Sequence, residues 1–92
     1  MIESFNNKGL QLYFEKGDYS KINPDHQNKV KLILTLLQAA VDIKDLNFPG
    51  SDLHSLKGIK KGFWSIRVSG NWRIIFRFEN SNVYDVDYLD YH

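Results

Sequence analysis

Side chains able to move protons or hold anions crowd the second half of this 92-residue chain. LHSLKG supplies His54 and Lys57, GIKKG adds Lys60 and Lys61, and FWSIRVSGNWRI contributes Arg67 and Arg73. The sequence closes on VYDVDYLDYH, whose alternation delivers Asp90, Tyr91 and His92 together at a strand tip. Histidine exchanges protons at working pH because its unperturbed pKa is about 6.5. Arginine suits phosphate because its planar fork donates two bonds to one anion. An isolated His54 would more often be a surface residue than a catalyst. Two histidines, a tyrosine, an aspartate and a lysine near two arginines form a rarer set, suited to acid–base chemistry on an anion.

Metal chemistry is not expected. There is no HExxH and no cysteine, and His26, His54 and His92 lack ligand spacing. GIKKG, residues 58–62, is not a phosphate-binding P-loop, because the spacing and the following Ser or Thr are absent. It reads instead as a basic loop whose Lys60 and Lys61 touch a nucleic-acid backbone.

Charge is unevenly spread. Residues 1–52 carry six lysines against seven acids, residues 53–78 carry six cations and no acid, and residues 79–92 carry four acids and no Lys or Arg. The central block suggests a polyanionic partner, with neutralisation by the acidic block across a sheet as the structural alternative. At 42% hydrophobic and 14% aromatic, residues 1–92 are expected to form a single domain with a modest core. No apolar run reaches the roughly 20 residues of a membrane span. MIESFNNKGL lacks the basic and apolar regions of a signal peptide, so the expected location is cytoplasmic, in keeping with zero cysteines.

These groups need a scaffold, and the pattern supplies one. In KGLQLYFEKG, Leu10, Tyr13 and Phe14 share a helix face and Gly17 is a C-terminal stop. Asn23-Pro24-Asp25 opens a second helix, with a capping side chain, a proline at the first position and an acid at the positive end of the dipole. Val30, Ile33, Leu34, Leu37 and Val41 follow at helical spacing as core, and His26 reads as a solvated histidine in the first turn. Residues 45–55 read as a connector around Pro49-Gly50. FWSIRV, WRIIFRF and VYDVDYLDY read as strands, separated by turns at Ser69-Gly70-Asn71 and Glu79-Asn80-Ser81-Asn82. The expected class is α+β, two N-terminal helices packed on one face of a small, mainly antiparallel β-sheet.

Register decides which charges meet. Pairing Val68 with Trp72 aligns Ile66 with Ile74 and Trp64 with Phe76, and it sets Arg67 opposite Arg73 on the other face. Pairing Phe78 with Tyr84 aligns Phe76 with Val86 and Ile74 with Tyr88, and it gives Arg77 an acid, Asp85. Arg67 and Arg73 are left facing each other, which destabilises a sheet unless an anion sits between them. Tyr91 shares parity with Asp85 and so projects from the Arg73 face if the strand stays regular.

LHSLKG, KKGFWSIRVSGNWRIIFRF and DVDYLDYH resemble the HigB toxins of bacterial toxin–antitoxin pairs, within the RelE-like superfamily. The opening MIESFNNKGLQLYFEKG and the INPDH helix start also match, so the resemblance spans essentially the whole chain. It implies a RelE-like fold, no cofactor, and a ribosome-dependent endoribonuclease that cleaves messenger RNA in the A site of the small subunit. It also implies a HigA-like helix-turn-helix antitoxin, through which alone the pair would touch DNA, and no membrane partner. Carried over by motif, the family's functional positions fall on His54, Lys57, Arg73, Asp90, Tyr91 and His92. Ser55 stands where relatives often have proline, and Ile59 where they often have a polar residue; neither removes an implicated side chain. Two other classes fit the same fold: a non-catalytic RNA- or protein-binding module, and a ParE-like gyrase inhibitor. His54 with His92 argues against the first, and the LHSLKG and DYH motifs argue against the second.

Overall fold

Local rules fix the first half of the chain. In this computed structural model, which describes residues 1–91, Asn7 caps helix α1 (Lys8–Lys16) by accepting a bond from Leu10 N–H at 2.9 Å. Gly17 ends α1 in the left-handed region, φ 71°, with its N–H donating to the Tyr13 carbonyl, as the stop signal predicts. Asn23 and Pro24 open a single 3-10 turn, Pro24–His26, which leads into helix α2 (Gln27–Ala39). Val30, Ile33, Leu34 and Leu37 are buried at the predicted spacing. Val41 is not part of that stripe: α2 stops at Ala39, and Val41 lies past its end, 69% exposed.

His26 also departs from expectation. It is buried, 5% exposed, with Nδ1 sharing a hydrogen bond with the Tyr88 hydroxyl at 2.6 Å. Its ring meets Trp72 and Tyr88 edge-on, with centroids 5.6 and 6.0 Å away. The tight turn at Pro24 rotates His26 inward, onto the sheet, where a helix of regular pitch was expected to leave it in water.

Four strands run in the order β1 (His54–Ser55), β2 (Phe63–Ser69), β3 (Trp72–Glu79) and β4 (Asn82–Asp90), each antiparallel to its neighbour. β1 lies inside the stretch read as a connector, and two residues carry no period to betray a strand. The outer edge of β4 is covered by residues before α1, with parallel bridges Ile2↔Val83 and Phe5↔Val86. Glu3 N–H donates to the Val83 carbonyl at 2.7 Å and Val86 N–H to that of Ser4 at 3.1 Å, so that edge is closed over Val83–Val86.

Each hairpin keeps the predicted register far from its turn and slips by one residue near it. Trp64↔Phe76, Ile66↔Ile74 and Arg67↔Arg73 pair as expected, but Trp72 meets Ser69 instead of Val68, across a bulge. Likewise Ile74↔Tyr88 holds, whereas Phe78 meets Val83 and Arg77 meets Tyr84, with the extra residue on β4 between Tyr84 and Asp87. Asn80 and Ser81 have φ 50° and 66°, the left-handed pair of a two-residue turn whose twist suits a hairpin. That turn sets one offset, the apolar pairing further along demands another, and Asp85 absorbs the mismatch at φ 57°. Asp85 tolerates this because its N–H donates to Ser4 Oγ at 2.8 Å and its carboxylate accepts from Arg77 Nε at 2.8 Å.

The two faces now differ sharply. Ile66, Ile74, Phe76, Val86 and Tyr88 pack against Leu10, Val30, Ile33 and Leu37 of the helices. Phe76 is fully buried, and a large void at such a position costs about 3–5 kcal/mol. Register puts His54, Ser65, Arg67, Arg73, Ile75, Asp87 and Leu89 on the opposite, open face.

Candidate active site on the open face of the sheet

Arg67 and Arg73 stand opposite each other, as the register requires. The expectation that both lack a native counter-ion does not hold. Arg73 Nη1 donates to Asp52 Oδ2 at 2.8 Å, while Arg67 has no ion pair among the described residues. Asp52 arrives by way of the Pro49-Gly50 turn, where Gly50 has φ 86°. The buried Ser51 then accepts a hydrogen bond from Arg67 N–H at 2.8 Å, tying the connector to the edge of β2. Asp52 itself sits at φ 48°, a left-handed conformation that Asp tolerates better than most residues. The result turns its carboxylate over the open face.

His54 is exposed and lies in β1 opposite Ser65. Its Nδ1 is 2.9 Å from the Asp52 carbonyl oxygen. A carbonyl can only accept, so Nδ1 carries the proton, and in the neutral ring Nε2 is left as the acceptor. Ile75, fully buried in the same cross-strand row, gives the face an apolar floor on which charge interactions are less damped than in open water. The Arg73 guanidinium, hydrogen-bonded to it, holds the Asp52 carboxyl below the usual carboxylate range. The charges of Arg73, His54 and Arg67 add to that effect, and partial desolvation opposes it.

Lys57 is exposed at the start of a 3-10 turn, Gly58–Lys60, beside the β1–β2 edge. Lys61 is exposed, Lys60 Nζ lies 5.7 Å from the centre of the Phe63 ring, and Ile59 at the loop tip is fully solvent-accessible. Arg77 is occupied elsewhere, with Nε on Asp85 and Nη1 on Glu79 at 2.8 and 2.9 Å, so its expected acid is its acid. The shift in strand register did not break that pair, because the bulged Asp85 still reaches it.

At the far end, Tyr91 N–H donates to the Asn71 carbonyl at 2.7 Å, which ties the chain terminus to the β2–β3 turn. Tyr91 is 40% exposed and lies two positions beyond Leu89, the partner of Arg73, so register assigns it the Arg73 face. Asp90 pairs with Trp72 and is therefore out of phase with Arg73, in the register of the helix-covered face. Trp72 in turn packs on Tyr88, ring centres 4.9 Å apart, and burial pushes the Tyr88 phenol up while a hydrogen bond from the Asn23 backbone opposes. His92, the last of the sequence-derived candidates, lies outside the described residues.

His54, Arg67 and Arg73 thus share a face with Asp52, which no period or motif singled out. Asp87 also belongs to that face, opposite Ile75, and its Oδ1 accepts from Tyr88 N–H at 2.9 Å. Strand alternation could have flagged Asp87; Asp52 had no comparable signal. Among the described residues no group of three or more His, Cys, Asp or Glu is placed to hold a metal ion, and no helix is long and apolar enough to cross a membrane. An imidazole acceptor, one held guanidinium and one guanidinium without an ion pair among the described residues can take a proton and bind a phosphodiester.

Comparison with known proteins gives concordant matches. A family described as the RelE-like toxin of the type II toxin–antitoxin system HigB matches residues 3–92. The chain is 44% identical to the Endoribonuclease HigB of Proteus vulgaris over 92 residues, covering the whole of both. It is 32% identical over 94 residues to Toxin HigB-1 of Vibrio cholerae, covering 100% of this chain and 98% of that one. Among solved structures, a variant of YafQ from E. coli superposes with TM-score 0.62 at 23% identity, covering 92% of this chain and 86% of the other. A YoeB–YefM complex from Staphylococcus aureus gives TM-score 0.60 at 15% identity, covering 100% and 95%. At those identities the two structures speak for the fold.

Proposed function

Because the chain belongs to the HigB-like toxins of type II toxin–antitoxin systems, we propose that it is an endoribonuclease whose cleavage centre is the open face around Arg73. The observation that carries this reading is the His54 ring: its Nδ1–H is bound to the Asp52 carbonyl, leaving Nε2 as a base on the same sheet face as two arginines.

Cleavage would proceed by in-line attack within the RNA. Nε2 of His54 takes the proton of a ribose 2′-hydroxyl, the 2′-oxygen bonds to the adjacent phosphorus, and the bond from phosphorus to the 5′-oxygen breaks. An acid protonates the departing 5′-oxygen, and the products are a 2′,3′-cyclic phosphate and a free 5′-hydroxyl. We assign that acid to His92, with Asp90 as its orienting carboxylate. Arg73 and Lys57 stabilise the charge that gathers on the phosphate oxygens, an effect strongest where the donors are already aimed. Tyr91 stacks on a splayed base, the usual way an exposed aromatic holds single-stranded RNA. Lys60, Lys61 and Arg67 bind backbone phosphate of the message or of the ribosome. None of these steps calls on a metal or a cofactor.

The reading extends to ribosome dependence. His54 and Arg67 are exposed on the sheet face, which fits a substrate whose in-line geometry is imposed by the ribosomal A site. A type II toxin has a cognate antitoxin; here we assign a HigA-like helix-turn-helix protein, and with it the only link to DNA. Primer extension on a message, translated and untranslated, tests the proposal. New 5′ ends within codons, appearing only on the translated message, are the expected result. Rapid digestion of free RNA would remove the ribosome from the scheme, and an absence of new ends under both conditions would remove cleavage itself.

A further inference from the structure

Two arginines facing each other across strands call for an anion, and the one that has come is Asp52. Its role turns on which part of the guanidinium it uses. The single bond runs from Nη1 to Oδ2, and Nε and Nη2 make no hydrogen bond among the described residues. A carboxylate plugging the site would occupy the side-on pair of donors that phosphate prefers. Asp52 instead grips one corner, and no other described residue occupies that pair.

A second atom of the same residue reaches a second functional group. While Oδ2 holds Arg73, the Asp52 carbonyl accepts from His54 Nδ1, and the preceding residue is bonded to the backbone of Arg67. One residue, in a backbone conformation that most side chains avoid, is joined directly to the base and to the held cation. Packing of the Asp52 side chain does not account for that conformation, since it is 56% exposed and fills no core position.

We infer that Asp52 is a positioning residue for the cleavage reaction. Its carboxylate aims the Arg73 guanidinium at the phosphate, and its carbonyl selects the His54 tautomer and ring orientation, so that base and cation keep a fixed separation. This rests on the open face being the cleavage centre. It carries a kinetic signature, because a carboxylate beside the scissile phosphate also repels it. Removing the charge should slow turnover without weakening RNA binding, whereas a lost binding residue does the reverse.

The test compares wild type, Asp52→Asn, Asp52→Gly, Arg73→Ala and the Asp52→Asn/Arg73→Ala double variant on a translated message. Glycine accepts a φ of 48°, so Asp52→Gly removes the carboxylate while keeping the backbone and its bond to His54. Both single Asp52 variants should cleave at least about tenfold more slowly at saturation, with half-saturation unchanged or lower, and should melt within a few degrees of wild type. In the Arg73→Ala background Asp52→Asn should cost nothing further, because residues acting through one another are not additive. Wild-type rates in Asp52→Asn and Asp52→Gly, or the same slowing with and without Arg73, would overturn the positioning role while leaving the nuclease reading intact. Failure of the wild-type protein to cleave at all would instead overturn that reading, and this inference with it.

Discussion

The sharpest consequence of the open face is that its two opposed arginines should fail differently. Arg73 is held by Asp52 and its side chain is 19% exposed; Arg67 has no ion pair among the described residues and is exposed. A fixed donor acts on the transition state, and losing one typically costs about 3–4 kcal/mol, or 10²- to 10³-fold in rate. Arg73→Ala is therefore expected to lose that factor in the single-turnover rate. Its stability should hardly change, since an exposed ion pair contributes little and removing Arg73 also relieves repulsion with Arg67. An exposed cation without a fixed carboxylate among the described residues acts on binding instead. Arg67→Ala should leave the saturated rate near wild type, weaken RNA affinity, and reduce the salt slope by about 0.7, the value for one phosphate contact on a single strand. Thermal melts establish folding, single-turnover cleavage gives the rates, and a salt titration of binding gives the slope. A folded Arg73→Ala variant cleaving within about threefold of wild type would refute the assignment. So would an Arg67→Ala variant that loses rate and keeps its salt slope, because the roles would then be exchanged.

Three further outcomes are expected. Tyr88→Phe removes the hydroxyl that meets buried His26 Nδ1 and should cost about 1–3 kcal/mol, read by denaturant unfolding; with about 4–8 °C per kcal/mol at this size, an unchanged melting temperature would show that water replaces it. Asp52, Asp18 and Asp45 all have carboxyls held below the ordinary 3.8, by the Arg73 side chain, the Ser20 backbone and the Asp42 backbone respectively. Their contribution to stability is complete above 3.8 and is lost as pH falls through the lower folded values, so melting temperature should decline in that acid range and the Asp52→Asn variant should decline less. Deleting His92 should leave the melt unaltered, because Tyr91 is already tied to Asn71, while cleavage drops; normal cleavage by the truncated protein would remove the terminal histidine from the mechanism.

The sheet shows where sequence reasoning was sufficient and where it failed. Apolar matching alone set Ile66 opposite Ile74 and Ile74 opposite Tyr88, because a slip there would push a charge into the helix-covered core. Near each turn a different rule governs. Two-residue turns at Gly70-Asn71 and Asn80-Ser81 impose their own offsets, and no apolar pairing was strong enough to reveal the conflict in advance. His26 is buried for a related reason. Its burial depends on a tight turn at Pro24 and on Tyr88, 62 residues away, and neither is a local signal.

The site divides along the same line. Arg67 and Arg73 were legible because each sits in a strand whose apolar neighbours fix its direction. His54 and Lys57 stood out only by motif, since β1 is too short to carry a period. Asp52 could not be found from pattern at all, yet the like-charge pair announced that some anion was required. The sequence could not tell a substrate phosphate from a carboxylate of the chain itself. That choice is made by irregular backbone: the Ser51 carbonyl bonded to Arg67 and the left-handed step at Asp52 bring the acid to Arg73. An unexplained repulsion in a confident register is therefore evidence for a counter-ion, and the first place to seek one is the connector that borders the strand edge. Here that connector supplies Asp52, the counter-ion of Arg73 and the residue proposed to aim it.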